Sequence, residues 1–217
     1  MTNNRLKNLR TELIKLDLQA SFITKKEDIF YLSSFSGDDT FLFITLDNAY
    51  IATDFRYKEQ AKKECLSYEL IRTENGLWNN LNDIILNEKI SHIGVQEQHI
   101  SFDTYKKYTS NLRDITFVGM DNILRKLRMK KTSEELSCIR DAVRVADDAF
   151  SHILSHIRTG MTEKEISLEL EYFMRRNNAS GVSFETIVAS GTRSCMPHGV
   201  ASDKIIEYGD TITLDYG

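Results

Sequence analysis

The spacing of hydrophobic positions changes repeatedly along the first 120 residues. Leucines at positions 6, 9, 13 and 16 recur every three or four residues, which predicts an amphipathic helix over residues 4–17. "ASFIT" then predicts a short strand. "TFLFIT" and "YIATD", on either side of the turn at residues 46–49, predict a β-hairpin. Helix and strand periods therefore alternate from the start of the chain.

The same alternation continues to about residue 122. The predicted elements are helix "FRYKEQAKKEC", strand "YELI", helix "LWNNLNDIILNE", strand "HIGV", a helix opened by Ser101 and strand "DITFV". Alternating strands and helices favour an α/β layer structure. We therefore assign residues 1–122 to a first domain and residues 123–217 to a second.

Two helix-start signals mark the second domain. Thr132 with Glu135, and Thr162 with Glu165, match the capping-box pattern. After the first box, apolar residues at helical spacing predict one continuous stripe that faces a core. The members of this stripe are Leu136, Ile139, Val143, Ala146, Phe150, Ile153 and Ile157. "SFETIVASG" and "TITLDYG" follow as predicted strands.

Composition narrows the functional classes. The chain has 217 residues, of which 41% are hydrophobic and 28% charged, and its formal charge is −4. No basic run indicates nucleic-acid binding, and no segment has the apolar character of a signal peptide or a membrane span. Cys65, Cys138 and Cys195 form no CxxC pair, so neither a disulfide framework nor a zinc knuckle is indicated. We expect a cytoplasmic protein.

Two pairs of reactive side chains have simple structural explanations. His152 and His156 are four apart on a helix, but both fall outside the predicted apolar stripe and the glutamate of an HExxH site is missing. We expect them to face solvent without a metal. Cys195 and His198 are separated by a proline that keeps the segment extended, so we interpret Cys195 as a loop residue.

The chain's single proline precedes a histidine and a glycine. Pro197 fixes its own φ and favours an extended conformation at Met196. His198 is therefore presented from a stiff segment, and Gly199 permits a sharp turn behind it. This arrangement suits a histidine that points at a ligand.

Asp215 has two interpretations from pattern alone. Alternation in "TITLDYG" places its carboxylate opposite the aliphatic residues, at the end of a strand. It is either a solvent-exposed residue that begins a turn or a rigidly mounted ligand for a hard divalent cation.

Residues 183–217, "SFETIVASGTRSCMPHGVASDKIIEYGDTITLDYG", resemble the metallopeptidase family of Xaa-Pro aminopeptidases and prolidases. "TDFRYKEQA" and "ADDAF" resemble the same family, so the resemblance covers the whole chain. It implies an α/β fold: a creatinase-like N-terminal domain with a mixed sheet, followed by a truncated α+β catalytic domain of the pita-bread fold.

The resemblance also implies a chemistry. Members bind two divalent metal ions, often manganese or cobalt, and hydrolyse the peptide bond before proline, so the partners are proline-containing peptides. Asp215 matches the first metal ligand, and His198 matches a catalytic histidine that contacts the substrate and its tetrahedral intermediate. We expect a homodimer in the full-length protein.

The remaining metal ligands of the family would lie beyond Gly217. We therefore expect this chain to be an N-terminal fragment that is inactive alone. Two alternatives are a non-catalytic binding protein of the same fold and a metal-free amidinohydrolase of the creatinase type. The presence of His198 and Asp215 argues against the first, and a ligand role for Asp215 argues against the second.

Overall fold

The computed structural model describes residues 2–74 and 76–217 and divides the chain into two compact units, Met1–Lys130 and Lys131–Gly217. The first unit alternates helices and strands as its periodicity predicts. Its elements are α1 (Thr2–Lys15), β1 (Ala20–Ile23), α2 (Lys26–Ser33), β2 (Phe41–Thr45), β3 (Ala49–Thr53), α3 (Lys58–Glu64), β4 (Glu69–Arg72), α4 (Leu77–Asn87), β5 (His92–Val95), α5 (Phe102–Asn111), β6 (Thr116–Gly119) and α6 (Asp121–Met129).

The strands of this unit form one six-stranded sheet in the order β4-β3-β2-β1-β5-β6. The pairs β1–β2 and β2–β3 are antiparallel, whereas β3–β4, β1–β5 and β5–β6 are parallel. The mixed sheet is therefore confirmed. The predicted hairpin is β2–β3, with Phe43 opposite Tyr50.

Both faces of the sheet are covered, which explains why every residue of β1 is buried. Ile23 packs on one face with Leu9 and Leu13 of α1. Phe22 packs on the other face, where its ring stacks on Tyr108 of α5 at 4.5 Å between centroids. Because successive side chains of a strand point to opposite faces, one short apolar strand contributes to two cores.

Helix α6 belongs to the first unit. Ile123 and Leu124 are buried in the same core as Leu9 of α1. The structural division therefore falls after Lys130, whereas the sequence pattern placed it near residue 122. Helix α2, which the sequence analysis did not assign, also contributes to this core.

The second unit contains α7 (Ser133–His156), α8 (Glu163–Arg176), β7 (Ile187–Ser190), a short 3₁₀ helix (Gly191–Cys195) and β8 (Ile212–Asp215). Both predicted capping boxes are confirmed: Thr132 caps α7 with Glu135, and Thr162 caps α8 with Glu165. Strands β7 and β8 pair antiparallel.

The predicted continuous stripe along α7 is wrong for its N-terminal half and for Phe150, which is 46% exposed. Ile153 is buried, together with Ala149, against α8 and β7. Leu136, Ile139 and Val143 are instead exposed in the described part of the chain, with Val143 at 54%. Periodicity identifies the apolar side of a helix, but it does not show how much of that side another element covers.

None of the helices within residues 2–74 and 76–217 combines the length and the apolar character that crossing a lipid bilayer requires.

Candidate metal and substrate site

The Pro197-His198-Gly199 segment lies against strand β7. Met196 is extended, with φ −85° and ψ 113°, as the following proline predicts. His198 is exposed, and Gly199 is buried. A Cβ on Gly199 would lie 2.8 Å from the Cβ of Ala189, so glycine is required here for close approach to β7.

Asp215 lies on the other side of β7, at the end of the neighbouring strand β8. It ends β8, is exposed, and lies opposite Ile187 in the antiparallel register. Val200, two residues after His198, forms a bridge with the same Ile187. Val200 and Asp215 thus flank β7 at two inter-strand spacings, about 10 Å. The two predicted site residues therefore belong to neighbouring backbone segments at one end of β7.

The Asp215 carboxylate accepts no hydrogen bond from any residue within 2–74 and 76–217, and it belongs to no cluster of three metal-binding side chains there. A strand-mounted carboxylate with free oxygens has the donor chemistry that hard divalent cations prefer. It supplies one ligand, and one ligand does not define a site.

A buried carboxylate that the sequence analysis missed organises this region. Glu163, in the first turn of α8, is fully buried. Its Oε1 accepts hydrogen bonds from the backbone and side chain of Ser190 at 2.7 and 2.9 Å. Its Oε2 accepts the corresponding bonds from Ser202 at 3.0 and 2.6 Å. Glu163 therefore joins the end of β7 to the loop that follows His198.

Arg193 completes the network. Its Nε lies 3.1 Å from Glu163 Oε2, and its Nη2 donates to the carbonyl of Val200 at 2.8 Å. Burial would raise the pKa of Glu163, but the hydrogen bonds from Ser202 and Ser190 outweigh burial and lower it to about 2. The carboxylate is therefore ionised at neutral pH and fixes both ends of the segment that carries His198.

The prediction that both helix histidines face solvent is wrong. His152 and His156 are only partly exposed, and Glu169 of α8 lies beside them. The interpretation of Cys195 as a loop residue is also wrong: it is the last residue of the 3₁₀ helix, and its exposed thiol donates to the carbonyl of Thr192.

Comparison with known proteins gives two family matches. Residues 5–130 match the creatinase/prolidase N-terminal domain, and residues 137–217 match metallopeptidase family M24. The chain is 38% identical over 213 residues to the uncharacterized peptidase YqhT of Bacillus subtilis, and 30% identical over 218 residues to the Xaa-Pro dipeptidase of Pyrococcus horikoshii. These alignments cover 98% and 99% of this chain and 60% of each relative.

Solved structures of similar proteins superpose on this chain. The Xaa-Pro dipeptidase of Bacillus anthracis superposes with a TM-score of 0.93 at 35% identity, over 100% of this chain and 61% of that one. The X-Pro aminopeptidase of Thermotoga maritima gives a TM-score of 0.84 at 36% identity, over 93% of this chain and 58% of that one. The chain thus spans about three fifths of the length of the proteins it matches.

Proposed function

The chain belongs to the creatinase/prolidase family, and on that basis we propose that the protein containing it is a metal-dependent peptidase that cleaves the bond before proline. The observation that carries the proposal is the pairing of an exposed strand-end carboxylate, Asp215, with an exposed histidine segment across β7. Relatives named Xaa-Pro dipeptidase and X-Pro aminopeptidase support the substrate class.

In this proposal Asp215 is one ligand of two divalent metal ions, manganese or cobalt. When bound, such ions activate water as a nucleophile and polarise a peptide carbonyl. The exposed carboxylate of Asp215 fits this role because its oxygens are not engaged by other described side chains.

His198 contacts the substrate rather than the metal ions. Pro197 and Gly199 hold its backbone against β7, and Arg193 fixes the carbonyl of Val200 beyond it. The imidazole then donates a hydrogen bond to the carbonyl oxygen that becomes negative during attack. A donor held in advance requires little reorganisation as that charge develops.

The 217-residue chain by itself is proposed to be inactive. Asp215 has no further metal-binding partners among the described residues, and a single carboxylate does not hold two cations. We also propose that the complete protein is a cytoplasmic homodimer that acts on proline-containing peptides.

The test uses the product of the complete gene and two variants. Asp215→Asn removes a ligand charge, so bound manganese and hydrolysis of an Xaa-Pro dipeptide should both fall. His198→Ala should keep its manganese while kcat falls by roughly 10²–10³, the usual effect of losing one such donor. Metal analysis and steady-state kinetics measure both effects. Loss of metal in His198→Ala alone would show that the two roles are reversed.

The purified 217-residue chain is assayed in parallel with manganese. Hydrolysis by this chain would contradict the proposal that further ligands are required. The creatinase-type alternative predicts that the complete protein hydrolyses an amidino substrate such as creatine after chelation, whereas the peptidase should lose its hydrolysis of the Xaa-Pro dipeptide.

A further inference from the structure

Three metal-binding side chains meet on the helix pair α7–α8, and none of them is among the residues proposed for catalysis. His152 and His156 lie one turn apart on α7, so their rings are on the same face of that helix. Glu169 lies on α8, which packs against the C-terminal part of α7 through a shared apolar core. One ligand atom from each of the three lies within 4.8 Å of the others.

The carboxylate of Glu169 spans both imidazoles. His152 Nε2 lies 2.6 Å from Oε1, and His156 Nε2 lies 3.9 Å from Oε2. The His152 ring also stacks on Phe173 with 4.4 Å between centroids. Phe173 thus restrains the orientation of one ligand, which reduces the conformational entropy that metal binding would cost.

A hydrogen-bonded pair accounts for His152 but not for His156, whose nitrogen is beyond hydrogen-bond distance from the carboxylate. Ligand atoms at zinc distances in a tetrahedral site are about 3.3 Å apart. The two observed nitrogen–oxygen distances, 2.6 and 3.9 Å, lie on either side of that value. These distances reach different oxygens of Glu169, so zinc binding requires the carboxylate to turn until one oxygen faces both nitrogens.

We propose that His152, His156 and Glu169 form a binding site for Zn²⁺. Two imidazoles and one carboxylate are a donor set that suits zinc, whereas Mg²⁺ and Ca²⁺ prefer oxygen ligands alone. The side chains are 31%, 42% and 26% exposed, so an ion can enter and a fourth position stays open to water. Because the ligands come from two helices, the ion would link α7 to α8.

The test is a calorimetric titration of the 217-residue chain with Zn²⁺, together with thermal unfolding with and without the ion. We expect one equivalent to bind through these residues and to raise the unfolding temperature of the second unit. His156→Gln should weaken that binding by at least roughly tenfold, since it removes one of three ligands. Among the residues that the structure describes, the one ionic contact of His156 is the long one to Glu169, so the fold should persist without metal.

Two further variants make the result specific. Glu169→Gln should also weaken zinc binding, whereas His99→Gln, which changes an exposed histidine of the first unit, should not. Circular dichroism confirms that each variant is folded. Failure of the wild-type chain to bind Zn²⁺ would overturn the proposal. Binding that His156→Gln and Glu169→Gln leave unchanged would also overturn it, because the ion would then occupy another site.

Discussion

Replacement of Glu163 by glutamine is expected to destabilise the second unit strongly. Each oxygen of this buried carboxylate accepts hydrogen bonds from a backbone N–H and a hydroxyl, and Arg193 contacts both oxygens. An amide retains one oxygen only. Its NH₂ group would therefore face the N–H of either Ser190 or Ser202, and a buried donor would lose its acceptor.

The size of the expected loss in the free energy of unfolding follows from the pKa of Glu163. A decrease from 4.5 to about 2 on folding corresponds to about 3 kcal/mol in favour of the folded state at neutral pH. Removal of one partner from a buried ion pair costs about 3–5 kcal/mol in other proteins. The two figures agree, so we expect Glu163→Gln to lose about 3 kcal/mol.

Hydrogen exchange measured by mass spectrometry locates the effect, because Ser190 and Ser202 donate their own amides to Glu163. Peptides over β7 should exchange roughly 10²-fold faster in the variant at pH 7. Glu185→Gln, a change at an exposed position shortly before β7, is the matched control and should have a much smaller effect. A loss below about 1 kcal/mol in Glu163→Gln would refute the calculation.

The lowered pKa of Glu163 also determines how the stability of the second unit changes in acid. The folded state of Glu163 has the lower pKa, so its stabilisation is complete above pH 4.5 and disappears as the pH falls towards 2. Protection of β7 in the wild-type chain should therefore decrease across that window. Glu163→Gln has no carboxylate at this position, so the part of the decrease that comes from protonation of Glu163 should be absent in this variant.

Two other substitutions test packing and charge. Gly199→Ala should destabilise the second unit by about 1–3 kcal/mol, because the added methyl group has no room against β7. Gly181→Ala is the control and should have little effect, since the nearest atom to the added methyl group is 3.7 Å away. Thermal unfolding measures the stability of both variants. Arg128→Ala should lower the free energy of unfolding by about 2 kcal/mol, because buried Asp28 loses an ionic partner at 2.9 Å. Urea unfolding, followed by the fluorescence of the chain's single tryptophan, measures this loss. Arg125→Ala, a change at an exposed position, is the control. These expectations would be contradicted if a control variant lost as much stability as the variant it is compared with.

The order of strands and helices followed from local signals, but their arrangement did not. Periodicity and caps located the hairpin β2–β3 and the starts of α5, α7 and α8. Nothing local placed β1 between β2 and β5, because those pairings join residues far apart in sequence. The predicted boundary at residue 122 falls inside α6, because no local signal shows that Ile123 and Leu124 complete the first core.

Unusual features of the sequence suggested the two residues of the proposed site. A single proline before a histidine marked the segment at Pro197, and alternation marked the carboxylate at Asp215. Glu163 was missed because an acidic residue in the first turn of a helix is ordinarily an exposed partner of the helix dipole. Its burial depends on Ser190 and Ser202, which come from other parts of the chain.

Glu163 and Asp215 are carboxylates of the same unit, and their surroundings assign them opposite roles. Both oxygens of Glu163 are already occupied by N–H and O–H donors, so binding a cation there would require several hydrogen bonds to break. Asp215 accepts none from the described residues and projects from a paired strand end. The buried carboxylate therefore holds the segment that carries His198, while the exposed one has the unoccupied oxygens that its proposed role as a metal ligand requires.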